Sequence, residues 1–187
     1  MAIELECEIS KGKLLVAMPK LEDPNFRQTV ILVCEYGPQG ALGVVLNRPT
    51  ELAASMLIDG FQGIVGAERV YAGGPVARNG MLILCRGDGM GDGHNIFDGV
   101  FVPRDLEKLK STEPLSHYEE VRCYLGYAGW SPGQLEAELS EGAWKVLPSD
   151  STLIFDAEPT VLWSQMMRRL GKQWAFYASM PPDPSMN

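Results

Sequence analysis

The chain has 187 residues, 45% hydrophobic and 21% charged, with 24 acidic against 16 basic side chains and a formal net charge of −8. That composition excludes a disordered or fibrous polypeptide, and at this length one domain, burying roughly 70% of the surface of its unfolded chain, is the default. The charge argues against a duplex binder, because such affinity comes from Lys and Arg neutralising phosphates and an acidic body repels a polyanion at long range.

Residues 1–8 carry three glutamates where a secretory signal needs a positive region and an apolar core. The apolar runs at 30–34 and 81–85 are strand-sized, far below the roughly 20 residues that span a bilayer, so a cytoplasmic protein without membrane attachment is expected. Cys7, Cys34, Cys85 and Cys123 stand apart with no CxxC pair, which encodes neither a zinc knuckle nor a redox dithiol. Cys34 and Cys85 lie inside apolar runs and are expected in the core as reduced thiols.

In chain order, segments rich in Val, Ile and Leu between turn residues predict strands at 13–18, 29–36, 41–46, 69–72 and 81–85. Further strands are predicted at 99–102, 121–127, 144–147 and 152–155. The link Gly37-Pro38-Gln39-Gly40 is short enough for a hairpin, making the second and third strands antiparallel neighbours. Thr50 can cap a helix over 51–58, with Leu52, Met56 and Leu57 on one face. Ser131-Pro132-Gly133-Gln134 reads as a capping box with Pro at the first helical position, followed by the Leu135/Leu139 pair and a stop at Gly142. A last helix is predicted from Glu158-Pro159 to before Gly171, with Leu162, Met166 and Leu170 as its inner row and Trp163 and Met167 alongside. Arg168, Arg169 and Lys172 then lie at the negative end of its dipole. Residues 1–180 form the expected domain, and the proline-dense 181–187 reads as a flexible tail. Strands and helices without regular βαβ alternation point to an α+β fold with a mixed, largely antiparallel sheet.

No motif assembles a catalytic or metal site, and no cofactor is implied. The glycine-rich stretch 87–95 lacks the spacing of a dinucleotide loop, misses EF-hand ligands at Met90 and Gly99, and reads as a surface loop. His94 and His117 have no nucleophile context, and Glu119-Glu120, Glu136 and Glu138 read as solvated faces. Two stretches remain. Pro49 restricts Arg48 in Leu46-Asn47-Arg48-Pro49, which can aim the guanidinium at a fixed place. Gly73-Gly74-Pro75-Val76 removes Cβ atoms where two backbones, or a backbone and a ligand, approach. The plainer reading is structural: Asn47 bonds turn amides, Arg48 pairs with a carboxylate, and the glycines permit a tight crossing.

These segments also carry a family resemblance. The 26–32 run Phe-Arg-Gln-Thr-Val-Ile-Leu, the 40–49 run ending Leu46-Asn47-Arg48-Pro49, Gly73-Gly74-Pro75-Val76, and above all the 126–136 run beginning Gly126-Tyr127-Ala128-Gly129-Trp130-Ser131 resemble the YqgE/AlgH family across about residues 10–170. The resemblance implies a bifurcated sheet folded into a pseudo-barrel with flanking helices, in a bacterial family that carries a transcriptional-regulator label. Leu84-Cys85 stands where that family usually has Leu-His, so a shared histidine mechanism does not carry over, although Cys85 could act as a thiol ligand. The leading expectation is a non-enzymatic binding or regulatory module with an unidentified protein or small-molecule partner. Its expected contact surface joins Asn47, Arg48, Gly73, Gly74, Tyr127, Trp130 and Gln134. The alternative is a hydrolase-type enzyme with an anion pocket built from Arg48 and the glycine amides. Direct DNA regulation follows the family label and conflicts with the charge.

Overall fold

Nine strands form one curled sheet in a computed structural model that describes residues 7–87, 93–110 and 118–180. They are β1 (Leu14–Ala17), β2 (Val30–Gly37), β3 (Gly40–Val45), β4 (Val70–Ala72), β5 (Val76–Arg86), β6 (Gly93–Phe97), β7 (Val100–Pro103), β8 (Glu120–Trp130) and β9 (Trp144–Leu147). The helices are α1 (Glu107–Lys110), α2 (Gln134–Ser140), α3 (Ser151–Phe155), α4 (Pro159–Arg169) and α5 (Lys172–Ala175). The sheet runs β6-β7-β5-β8-β3-β2-β1-β9, every pair along it antiparallel. The expected hairpin closes at Gly37 opposite Gly40.

The sheet bifurcates on β8. One edge of β8 pairs with β5, while the other takes β4 in parallel at residues 123–125 and β3 antiparallel at 128–130. The fork falls at Gly126, whose φ of +70° costs a residue with Cβ more than it costs glycine. A Cβ on Gly73 would stand 2.3 Å from the Gly126 carbonyl oxygen, and one on Gly126 would stand 2.4 Å from that of Gly74. Gly73 joins all three strands at the fork: its amide donates to the Leu125 carbonyl at 2.7 Å and its carbonyl accepts from Val45 at 2.8 Å.

β1 and the first five residues of β2 are covered on both sides, which is why they read as continuous apolar runs rather than alternating ones. Leu14, Val16, Val30, Leu32, Val44, Leu84 and Tyr124 turn into the half-barrel, where Leu162, Trp163, Met166 and Met167 of α4 pack against them. Leu15, Ile31, Val33 and Val45 face outward and are covered by Leu135 of α2, Trp130 and Trp144. Ile83, Cys85, Val121 and Cys123 form a third apolar cluster with Phe61, Ala67 and Leu109. The inner row foreseen for α4 is thus in place, and the Trp163 indole N–H donates to the Ala17 carbonyl at 2.8 Å, pinning the helix to β1.

Three assignments change. Residues 152–155, expected as a strand, belong to α3: the Asp150 carboxylate accepts from the Leu153 amide at 3.0 Å, and this cap turns the apolar run into a helical turn. Residues 51–58 form only the 3₁₀ turn Ala54–Met56, because Leu52 and Ala54 bond across the loop to Val70 and Ala67 instead of along a helix. β6 occupies part of the stretch expected as a loop; residues 88–92 of that stretch, His117 and the expected tail at 181–187 lie outside the described residues. β5 and β8 both run longer than expected, and their extra residues carry the fork.

Candidate functional site

The seven residues expected to form one contact surface fall in separate places. Asn47 is 9% exposed and used internally: its side-chain oxygen accepts from the Val30 amide and its NH₂ donates to the Gln28 carbonyl, both at 2.9 Å. It holds the end of β3 against the 28–30 turn, in which Gln28 has φ +53°. Gly73 and Gly74 sit at the fork, with a Cβ on Gly74 only 2.1 Å from the Tyr127 carbonyl carbon.

Trp130 and Gln134 belong to a second assembly centred on Glu138. The Glu138 carboxylate accepts from the indole N–H of Trp130 at 2.9 Å, the indole N–H of Trp144 at 2.7 Å and the Gln134 NH₂ at 3.0 Å. Phe26 stacks on Trp130 and meets Trp144 edge-on, with centroids at 6.3 and 5.8 Å. Half of the expected capping box is present: the Gln134 side chain accepts from the Ser131 amide at 3.0 Å. The Gln134 amide, however, bonds the Ser131 carbonyl rather than its hydroxyl, and Gly133 in the left-handed region occupies the cap position. Glu138, expected as a solvated carboxylate, is half-buried and organises the group, whereas Glu136 is exposed and accepts from the Tyr36 hydroxyl at 2.6 Å.

Arg48 lies at a pocket of about 400 Å³ on the outer side of the fork. Val45, Ala72, Leu125, Pro24 and Pro75 make its apolar wall, and Arg48, Arg78, Asn25 and Gly74 complete it. One terminal nitrogen of Arg48 donates to the Arg27 carbonyl at 2.6 Å, which fixes the guanidinium without neutralising it. Arg78 donates to the Asn25 side-chain oxygen at 3.4 Å. The Asp23 carboxylate, in the same loop as Asn25, is engaged by the backbone and side-chain N–H groups of Asn25 at 2.8 and 3.0 Å. Among the described residues neither Arg48 nor Arg78 has a carboxylate partner, so the expected Arg48 ion pair is replaced by a carbonyl contact. Burial, and then the like charge of Arg27, lower the pKa of Arg48 from its ordinary value, and a guanidinium remains cationic under such shifts. The amide of Gly73 is engaged by Leu125, that of Ala72 by the Arg48 carbonyl and that of Val45 by Gly73. The glycine-amide anion hole expected for the hydrolase alternative therefore lacks its Gly73 donor.

Tyr127 lines a different pocket of about 460 Å³ on the inner side of β8, with Leu42, Leu82 and Val102. The glycines and Arg48 thus meet in one place, Trp130 and Gln134 in a second and Tyr127 in a third. Arg78 escaped sequence reasoning: nothing in Val76-Ala77-Arg78 marks it, since its position depends on the register shift between Val76 and Met81 where β5 leaves β8.

Other polar groups are structural clamps. Arg122 is 9% exposed, lies 4.7 Å over the Tyr71 ring and donates to the Phe155 carbonyl at 2.7 Å. Arg86 pairs with Asp156 at 2.7 Å and Glu120 at 3.6 Å and sits 4.8 Å over Phe155, so both arginines anchor α3 to the sheet. Cys85 is fully buried beside Cys123, and burial raises the pKa of each thiol to about 12, which keeps both as inert thiols at neutral pH. The described residues contain no group of three His, Cys, Asp or Glu side chains able to hold a metal ion. His94 is exposed on β6.

Residues 14–175 match the AlgH-like family. A UPF0301 protein of Chlorobaculum tepidum is 40% identical over 186 residues, covering 97% of this chain and 98% of its own. Another from Thermobifida fusca is 40% identical over 190 residues and covers 94% of each. The solution structure of the AlgH protein from Pseudomonas aeruginosa superposes with a TM-score of 0.71 at 30% identity, covering 92% of this chain and 95% of that one. A Corynebacterium diphtheriae crystal structure superposes at 0.81 with 23% identity over 94% of each chain, a likeness of fold.

Proposed function

From the premise that this chain belongs to the AlgH-like family, we propose that it is a non-enzymatic binding module whose ligand site is the Arg48 pocket and whose ligand is an anion. The observation that carries the reading is the pair Arg48 and Arg78 on one pocket wall without a carboxylate partner among the described residues, in a chain of net charge −8. A half-buried guanidinium without a counter-ion is unfavourable, and an anionic ligand relieves that cost on binding. The lining offers orientation and charge, two guanidiniums and one amide, and no side chain that would exchange a proton near neutral pH. That inventory favours binding over hydrolysis. Any regulatory role then runs through a bound ligand or partner rather than through duplex contacts. The same reading places the module in the cytoplasm, supported by three buried reduced thiols and by the lack, among the described residues, of a helix long and apolar enough to cross a membrane.

Calorimetric titration with acetate, sulfate and inorganic phosphate, on the full chain and on Arg48→Gln, tests this reading. Saturable binding of at least one anion, lost in the variant while thermal unfolding stays cooperative, is expected. Binding that survives Arg48→Gln undiminished, or none by any anion, would contradict it.

A further inference from the structure

Resting on the anion-site reading, we infer that the Arg48 pocket takes a carboxylate attached to an apolar body, and not a phosphate. The pocket has one cationic side and one apolar side. Arg48 and Arg78 supply planar forks of N–H donors, while Val45, Ala72, Leu125, Pro24 and Pro75 supply a wall with no side-chain donor.

Phosphate sites draw on backbone amides as well as cations, because a phosphate presents three or four acceptor oxygens. Here most of the lining amides are withdrawn, Asn25 to the Asp23 carboxylate, Val45 to Gly73 and Ala72 to Arg48, and Pro24 and Pro75 have none, which leaves Gly74 to offer a backbone donor and too few for all the oxygens of a phosphate. A phosphate would therefore turn some oxygens toward apolar atoms, at the desolvation cost of an unpaired polar group. A carboxylate has two oxygens and one charge, which guanidinium forks match bidentately. The volume of about 400 Å³ lies in the range of small-molecule sites and leaves room beyond the charged group for an aliphatic or aromatic body against the wall. Two sources supply this chemistry, a free organic acid or the C-terminal carboxylate of a peptide ending in an apolar residue.

Calorimetric titration of the full chain with butyrate, hexanoate, octanoate, octanamide and inorganic phosphate at one ionic strength tests the assignment. Affinity is expected to rise about fourfold per added methylene until the wall is covered. Octanamide and phosphate are expected to bind at least tenfold more weakly than octanoate. Ala72→Glu, a substitution at an exposed wall position that sets a carboxylate against the ligand, is expected to abolish octanoate binding while the chain stays folded. Arg78→Gln, also at an exposed position, is expected to weaken octanoate at least tenfold. Phosphate binding as tightly as octanoate, with both lost in Arg78→Gln, would overturn the carboxylate class and leave the anion site standing. Octanoate binding that persists undiminished in Arg78→Gln would overturn this assignment alone, and no saturable binding by any of these probes would remove both. A pentapeptide ending in leucine separates the sources. If its free acid binds at least tenfold more tightly than octanoate and its amide does not, the ligand is a chain terminus; if octanoate binds more tightly, it is a free acid.

Discussion

Glu138 holds three side-chain donors on one carboxylate, and two of them are the indole N–H groups of Trp130 and Trp144, which are buried. Replacing it leaves those donors without a partner, and an unpaired buried donor costs more than the net value of the bond it lost. Glu138→Ala is expected to destabilise the chain by about 2 kcal/mol, and Glu138→Gln, which keeps one acceptor oxygen in place, by less than half as much. Urea unfolding followed by tryptophan fluorescence reads both, and equal losses would show that charge rather than acceptor geometry matters. This role was not legible in the sequence. Glu136 and Glu138 are near neighbours of identical chemistry, yet one faces Tyr36 at the surface and the other the indoles, a difference set by where β8 and β9 place two tryptophans. Arg48, in contrast, stood out through its proline neighbour, although its contact with the Arg27 carbonyl depends on a loop 21 residues away.

At the scale of elements, α3 and the fork show why some segments were readable and others were not. Thr152-Leu153-Ile154-Phe155 is an apolar run short enough to be a strand or a helical turn, and periodicity does not separate the two. The deciding signal was Asp150, whose side chain accepts from Leu153 and from Thr152. Burial pushes the Asp150 pKa up, but the hydrogen bonds from the Thr152 hydroxyl and from the Leu153 and Thr152 amides, with the charge of Arg169, hold it below its ordinary value. A carboxyl with a depressed pKa stabilises the fold above its unfolded pKa, about 3.9, and loses that contribution as pH falls through the folded value. Asp150→Ala should therefore cost about 1 kcal/mol at pH 7, and the gap to the native chain should close below about pH 4, read by urea unfolding across pH. A gap that stays constant with pH would refute the charged cap. At the fork, Gly126→Ala should cost about 3 kcal/mol or more, since positive φ and a 2.4 Å approach to the Gly74 oxygen act together. Gly63→Ala, at φ +78° with nothing within 4 Å, is the control and should cost about 1 kcal/mol. Equal losses would mean that strain at positive φ, and not the crossing, sets the demand for glycine. The tight-crossing reading of Gly73-Gly74 came from the residues themselves, whereas the fork came only from the family resemblance, because which edge β4 joins is not encoded in any local pattern.

Across the whole molecule, four polar side chains act as clamps: Asn47, Arg86, Arg122 and Glu138 each hold one element to another. The Arg48 pocket departs from this pattern: among the described residues its two guanidiniums have no carboxylate partner, in an acidic protein. Long-range repulsion and local attraction then act on different partners. A polyanion meets the net charge of −8 first, so a labelled duplex titrated at low salt should show no binding, and binding that weakens steeply with added salt would count against this. On the proposed reading, a small anion instead meets the two guanidiniums of one site, Arg48 and Arg78. Chemical-shift mapping by NMR tests that claim most directly: the assigned full chain is titrated with octanoate beside Arg48→Gln. Saturable shifts confined to Asn25, Val45, Ala72, Gly74, Arg78 and Leu125, and abolished in the variant, are the expected result. Saturable shifts centred instead on Tyr127 and Leu82, or unchanged in Arg48→Gln, would contradict it.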